Sequence, residues 1–175
     1  MTIAPRTSQE ARPTPTVVVH DWMGSNTVAR IVWDEVQHRA PVPVPDRPVL
    51  NKRGELLLAV LTYAYAAGIY RSREIEEEIF RSAAGRQFFS IMPVTAQSLR
   101  HFRRQNRALI KDCLHHVLYR ALKARGNHPR AIGCNAVRHD WPTVVSNSVC
   151  EPLAKAESAE RLDIAATSDR LDIES

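Results

Sequence analysis

Hydrophobic residues recur at helical spacing mainly in the middle of this chain, between about residues 51 and 125. The apolar run from Leu56 to Ala67 covers most of a helix's circumference, which predicts a helix over 51–67 that is buried on several sides. This run has 12 residues, whereas a membrane-spanning helix needs about 20. We therefore interpret it as a core helix, and Gly68 stands where a glycine that ends a helix belongs.

Further along the chain, apolar residues recur at helical spacing and predict a second, shorter helix over about 73–84. Ser72 is placed as its N-cap and Gly85 as its end. Glu76, Glu77 and Glu78 lie among arginines and are expected to form a salt-bridged solvent face.

A third pattern begins after Pro93, which blocks helix formation. Thr95 is expected to be the N-cap of a long helix over about 96–125. Its apolar stripe is interrupted by the polar Asn106, which would permit a break at that point. The turn formed by Pro93, Val94 and Thr95 before this helix gives the order expected of a helix-turn-helix.

The flanking segments show weaker patterns. Residues 1–48 are predicted to form an N-terminal arm with one amphipathic helix and a proline-rich linker, and residues 127–175 an irregular acidic tail. The predicted fold class is therefore all-α. It comprises a small helix-turn-helix-like helical domain over 49–126 with flexible N- and C-terminal extensions.

Charge is distributed unevenly along the chain, whose net charge is +5. Residues 86–130 carry ten basic side chains and one acidic side chain, whereas residues 140–175 carry eight acidic and three basic ones. A basic centre of this kind indicates a polyanionic partner. The alternative is that these side chains are the ordinary solvated faces of helices.

A row of basic residues in the long helix is the main candidate for binding DNA. On a helix it would occupy one broad face about 16 Å long, and five phosphate contacts would give a salt slope of roughly −4.5. The residues at the start of the helix that would face base edges are Thr95, Gln97, Ser98 and Arg100, with His101 close by. The basic row comprises Arg100, Arg103, Arg104, Arg107 and Lys111.

Little else in the sequence indicates chemistry. Three cysteines, with no signal peptide and no CxxC pair, indicate a reducing, cytoplasmic location and argue against a structural zinc site. His115 and His116 are adjacent, so they cannot share a metal ion from one helix face. We expect no catalytic residue, no metal, no cofactor and no membrane partner.

Two blocks of residues within 54–123 follow one another in a characteristic order. They comprise Leu57, Leu58, Tyr63, Tyr65, Gly68–Glu76 (GIYRSREIE), Pro93–Thr95 (PVT), Ser98–Arg100 (SLR) and Phe102–Arg104 (FRR). In order and in spacing, these blocks resemble the N-terminal domain of bacterial insertion-sequence transposases of the DDE type. Val94 and Ala64 depart from the family's pattern, which has an acidic residue and a glycine there.

The resemblance implies binding to double-stranded DNA at transposon ends, with a full-length transposase or a second copy of the chain as further partners. The family's catalytic domain holds three carboxylates, but only 49 residues follow Gly126, and a domain needs on the order of 100. We therefore expect a DNA-binding module that lacks strand-transfer activity by itself.

Three other interpretations remain open. The chain could be a helical protein-interaction module, such as an inhibitor of a full-length transposase, or an inactive remnant. A complete nicking enzyme would have to gather carboxylates such as Asp112, Asp140 and Glu151. In the interaction module, the long helix would pair with a second copy along Leu99, Phe102, Leu109, Cys113 and Val117.

Overall fold

A computed structural model describes residue 19 and residues 23–39, 50–89, 92–127 and 147–174, and within them the chain is all-α. Seven helices and no strand occur in these residues. The predicted fold class is confirmed. The helices are α1 (Ser25–Arg39), α2 (Lys52–Ala66), α3 (Ser72–Arg81), α4 (Ala83–Phe89), α5 (Ala96–Gln105), α6 (Arg107–Asn127) and α7 (Asn147–Glu174).

The apolar helix α2 lies at the centre of the fold, as its composition predicts. Every residue from Leu56 to Ala66 is buried, and α2 contacts α1, α3, α4, α5 and α6. Gly68 ends it with a φ of 81°, and Ile69 N donates to Ala64 O at 2.9 Å. This is the Schellman arrangement, in which glycine adopts the left-handed conformation at low cost.

Helix α1 belongs to this core. Val28, Val32 and Val36 are buried where α1 contacts α2 and α6. This helix, which was predicted to lie in an N-terminal arm, is therefore part of the central bundle. The proline-rich linker predicted next to it lies outside the described residues.

The C-terminal region also differs from the prediction. Residues 147–174, expected to be an irregular tail, form α7, which packs mainly on α6. Its buried apolar residues are mostly small, such as Cys150, Ala154 and Ala165. Small residues give a weak hydrophobic pattern but let two helices approach closely, which explains why periodicity missed α7.

The apolar row that was predicted to pair with a second copy is buried within the fold of a single chain. Leu99, Leu109, Cys113 and Val117 are at most 7% exposed and belong to the core formed with α1, α2 and α7. A second copy cannot pair along this stripe while the fold is intact.

The helix predicted over 73–84 is two helices that meet at Ser82. The backbone of Ser82 is extended, with ψ 149°, and its Oγ accepts a hydrogen bond from Gly85 N at 3.0 Å. A serine that caps the next helix competes with continuation of the previous one. Gly85 therefore lies inside α4. The prediction that it ends a helix is wrong.

Gly85 is required by a close approach of the two helices. A Cβ atom there would lie 2.4 Å from Ile79 O and 2.6 Å from Ile79 Cα. We expect Gly85→Ala to lower the free energy of unfolding by about 1–3 kcal/mol, as overpacking does in other cores. Urea unfolding monitored by circular dichroism measures this change.

Gly24→Ala is the matched control, since a Cβ on Gly24 meets no atom within 4 Å. This substitution is expected to change stability by less than about 1 kcal/mol. Equal stability of the two variants would contradict the close α3–α4 contact.

The long helix predicted over 96–125 breaks at Asn106, at the expected point. Asn106 has φ −123°, and its side-chain Nδ2 donates to Phe102 O at 3.1 Å. Since α6 begins at Arg107, the basic row is divided between two helices.

Candidate nucleic-acid interface

The start of α5 is fixed by a capping box. Ser98 N donates to Thr95 Oγ1 at 3.2 Å, and Thr95 N donates to Ser98 Oγ at 3.1 Å. The N-cap predicted at Thr95 is confirmed. Both hydroxyl oxygens, which were predicted to face bases, thus take part in capping the start of the helix.

A carboxylate from α3 completes this cap. Glu76 Oε2 accepts a hydrogen bond from Ala96 N, the first residue of α5, at 2.8 Å. Glu77 forms the predicted surface pair, with Arg81 at 3.6 Å, whereas Glu76 reaches across to α5. A negative charge is favourable at a helix N-terminus. Since Glu76 takes this place, a bound phosphate would have to contact side chains of α5.

The exposed face of α5 borders an open groove of about 430 Å³. Gln97, His101 and Arg104 are exposed on this face, and Arg100 is partly exposed beside them. The groove is lined by Arg53, Thr95, Gln97, Ser98, Arg100, His101 and Arg104, with no carboxylate among these described residues. Three arginines therefore converge on one surface with polar side chains between them.

Arg53 is a site residue that the sequence did not reveal. It is exposed in the first turn of α2, and it lines the groove from the side opposite α5. In the sequence it is one of two basic residues before an apolar run. Only the packing of α2 against α5 places it beside Arg100 and Arg104.

The structure corrects the place of Arg103, which was predicted to lie on the exposed basic row. Its side chain is only 5% exposed. Nη1 donates to Ala165 O at 3.0 Å, Nη2 donates to Tyr70 O at 3.1 Å, and the guanidinium carbon lies 5.3 Å from the centre of the Tyr65 ring. These contacts join α5 to α2 and α7, so Arg103 has a structural role.

The last two members of the predicted row lie on α6. Arg107 is exposed and forms a direct ion pair with Asp163 of α7. Lys111 is exposed but does not line the groove. The row is therefore divided into Arg100 and Arg104 in the groove, Arg103 in the core, and Arg107 and Lys111 on α6.

The position of α7 depends on a buried arginine. Arg161 is fully buried, and its Nη1 donates to the carbonyl oxygens of Tyr65 and Ala66, the last of these at 3.3 Å. It also pairs with Glu157 at 3.2 Å. Burial raises the pKa of the nearby Tyr70 hydroxyl, and the positive charge of Arg161 offsets only part of this increase. Arg161 thereby fastens α7 to the C-terminal end of α2.

A second cavity of about 590 Å³ adjoins the groove and shares Arg53, Ser98 and His101 with it. Leu57 and Phe102 line its apolar part, and Phe102 is only 6% exposed. The two cavities make a continuous open depression along α5.

No group of three or more His, Cys, Asp or Glu side chains in the described residues is placed to hold a metal ion. None of the described helices is both long and apolar enough to cross a membrane. No protein-family model, curated protein or solved structure matches this chain.

Proposed function

We propose that this chain is a DNA-binding module and that the groove beside α5 contacts the phosphate backbone of double-stranded DNA. The observation that carries the proposal is the convergence of Arg53, Arg100 and Arg104 from two helices on one groove, whose described lining residues include no carboxylate. Arginine binds phosphate oxygens through a planar set of donors. Like charges gathered on one surface repel each other until an anion neutralises them.

Base recognition is assigned to the same face of α5. Gln97 and His101 are exposed there between the arginines. A glutamine amide can pair with the adenine edge in the major groove. The capping by Thr95, Ser98 and Glu76 supports this assignment, because it holds the start of α5 in one orientation.

The resemblance to transposase N-terminal domains makes transposon ends the proposed DNA target. A full-length transposase, or a second copy of this chain, is the proposed protein partner, and the proposed location is the cytoplasm. We propose a binding role for the described helices, without strand cleavage or strand transfer.

The test is fluorescence anisotropy with a labelled random-sequence duplex of about 20 base pairs across a salt series. Three arginine–phosphate contacts account for a slope of roughly −2.7 in a plot of log affinity against log salt. The double variant Arg53→Ala/Arg104→Ala is expected to make this slope shallower by about 1.8.

The matched control is Arg71→Ala/Arg81→Ala, which removes the same charge from exposed positions outside the groove. This control is expected to bind with nearly the wild-type slope. Absence of binding at low salt, or an equal loss of slope in both double variants, would contradict the proposed interface.

A further inference from the structure

The acidic helix α7 lies against the basic row and holds one of its arginines. Asp163 Oδ1 forms a direct ion pair with Arg107 Nη2, and both side chains are more than half exposed, at 69% and 56%. Arg107 is the first residue of α6, three positions after Arg104 of the groove. A duplex that lies along α5 and continues toward α6 would bring a phosphate toward this pair.

The carboxylate is held in place by the anchoring of α7 on either side of it. Two residues before Asp163, Arg161 is fastened to the end of α2. Two residues after it, Ala165 O accepts the hydrogen bond from Arg103 of α5. Because both anchors are buried, the Asp163 carboxylate stays close to Arg107 even when the ion pair is broken, unless this part of α7 undocks.

We propose that Asp163 competes with DNA phosphate for Arg107 and so limits the sequence-independent part of DNA affinity. This inference rests on the proposed DNA-binding function. An exposed ion pair is weak in water, so a phosphate can displace it. The displaced carboxylate nevertheless remains close and repels the phosphate. Arg107 therefore contributes little to the DNA affinity of the wild type. Contacts in the groove, where Gln97 and His101 lie, contribute a larger share of this affinity.

The test compares Asp163→Asn with Glu151→Gln in the same salt series, using a random-sequence duplex as the probe. Both substitutions remove one negative charge from an exposed position of α7. Glu151 lies twelve residues away, which is about 18 Å along a helix and beyond the Debye length of about 8 Å at physiological salt. Glu151→Gln therefore matches the change in charge without altering the surroundings of Arg107.

Asp163→Asn is expected to bind about two- to fivefold more tightly than Glu151→Gln, the factor that corresponds to one exposed ion pair. Its salt slope should be steeper by about 0.9, which is one additional phosphate contact. Adding Arg107→Ala should cancel this gain, whereas Arg107→Ala in the wild-type background should change affinity by less than about twofold.

If the wild type binds DNA but Asp163→Asn and Glu151→Gln have the same affinity and salt slope, the proposed role of Asp163 is wrong. The proposed groove would be unaffected by that result. A large loss of affinity in Arg107→Ala alone would also overturn the role of Asp163, because Arg107 would already contact DNA in the wild type. Absence of DNA binding by every variant at low salt would instead overturn the proposed function, and this inference with it.

Discussion

Replacing Arg161 with Met is expected to lower the free energy of unfolding by about 3–5 kcal/mol, the range observed when one partner of a buried ion pair is removed. The substitution removes the guanidinium that pairs with Glu157, which is only 3% exposed, and it removes the donor to the last carbonyl oxygens of α2. Urea unfolding followed by circular dichroism measures the change.

The double variant Glu157→Leu/Arg161→Met separates the ion pair from the packing. It removes both charges, so it is expected to recover part of the stability lost in Arg161→Met. Arg81→Met serves as a control, because Arg81 lies in an exposed pair on α3 and should change stability by no more than about 0.5 kcal/mol. If Arg161→Met unfolds like Arg81→Met, α7 is not docked through Arg161.

The helices that could be predicted from the sequence are those whose signals are local. The Leu56–Ala67 run, Gly68 and Thr95 all act within a few residues, through burial, a left-handed backbone and a side-chain cap. Each of these features appears in the structure where it was expected. The break at Asn106 is also local, since the side chain bonds to the carbonyl oxygen one turn before it.

The elements that could not be predicted depend on contacts between distant parts of the chain. Helix α7 packs through small residues and through the buried Arg161, so its sequence has the appearance of a solvated acidic tail. The role of Glu76 depends on α5, twenty residues later. Arg53 joins the groove only because α2 and α5 are neighbours.

The prediction that Arg103 is exposed was wrong, although its spacing from Leu99 in the sequence already places it on the buried face of α5. Arg103 follows the core residue Leu99 by four positions, so the two side chains lie on the same face of α5. An arginine at such a position is usually expected to extend toward solvent. Here the carbonyl oxygens of Tyr70 and Ala165 accept its donors inside the protein, and neither of these partners is visible from local sequence.

Arg103 and Arg104 are adjacent in sequence, but we expect substitution of Arg103 to lower stability and substitution of Arg104 to weaken DNA binding. Arg103→Met should lower the free energy of unfolding by about 1–3 kcal/mol, because buried carbonyl oxygens lose their donor. Under conditions where this variant is folded, its DNA salt slope should equal that of the wild type. Arg104→Ala should leave stability within about 0.5 kcal/mol and make the slope shallower by about 0.9.

Urea unfolding and the anisotropy salt series, applied to both variants, give the four values needed. Arg103→Lys adds a check on geometry, since a single ammonium group cannot reproduce the planar donors that reach Tyr70 O and Ala165 O together. This conservative change should therefore destabilise the fold while preserving the charge. A shallower slope in Arg103→Met with unchanged stability would show that Arg103 faces DNA and that α5 is not joined to α7 through it. Reduced stability of Arg103→Met with a wild-type salt slope would leave Arg104 as the groove contact and Arg103 as its structural support.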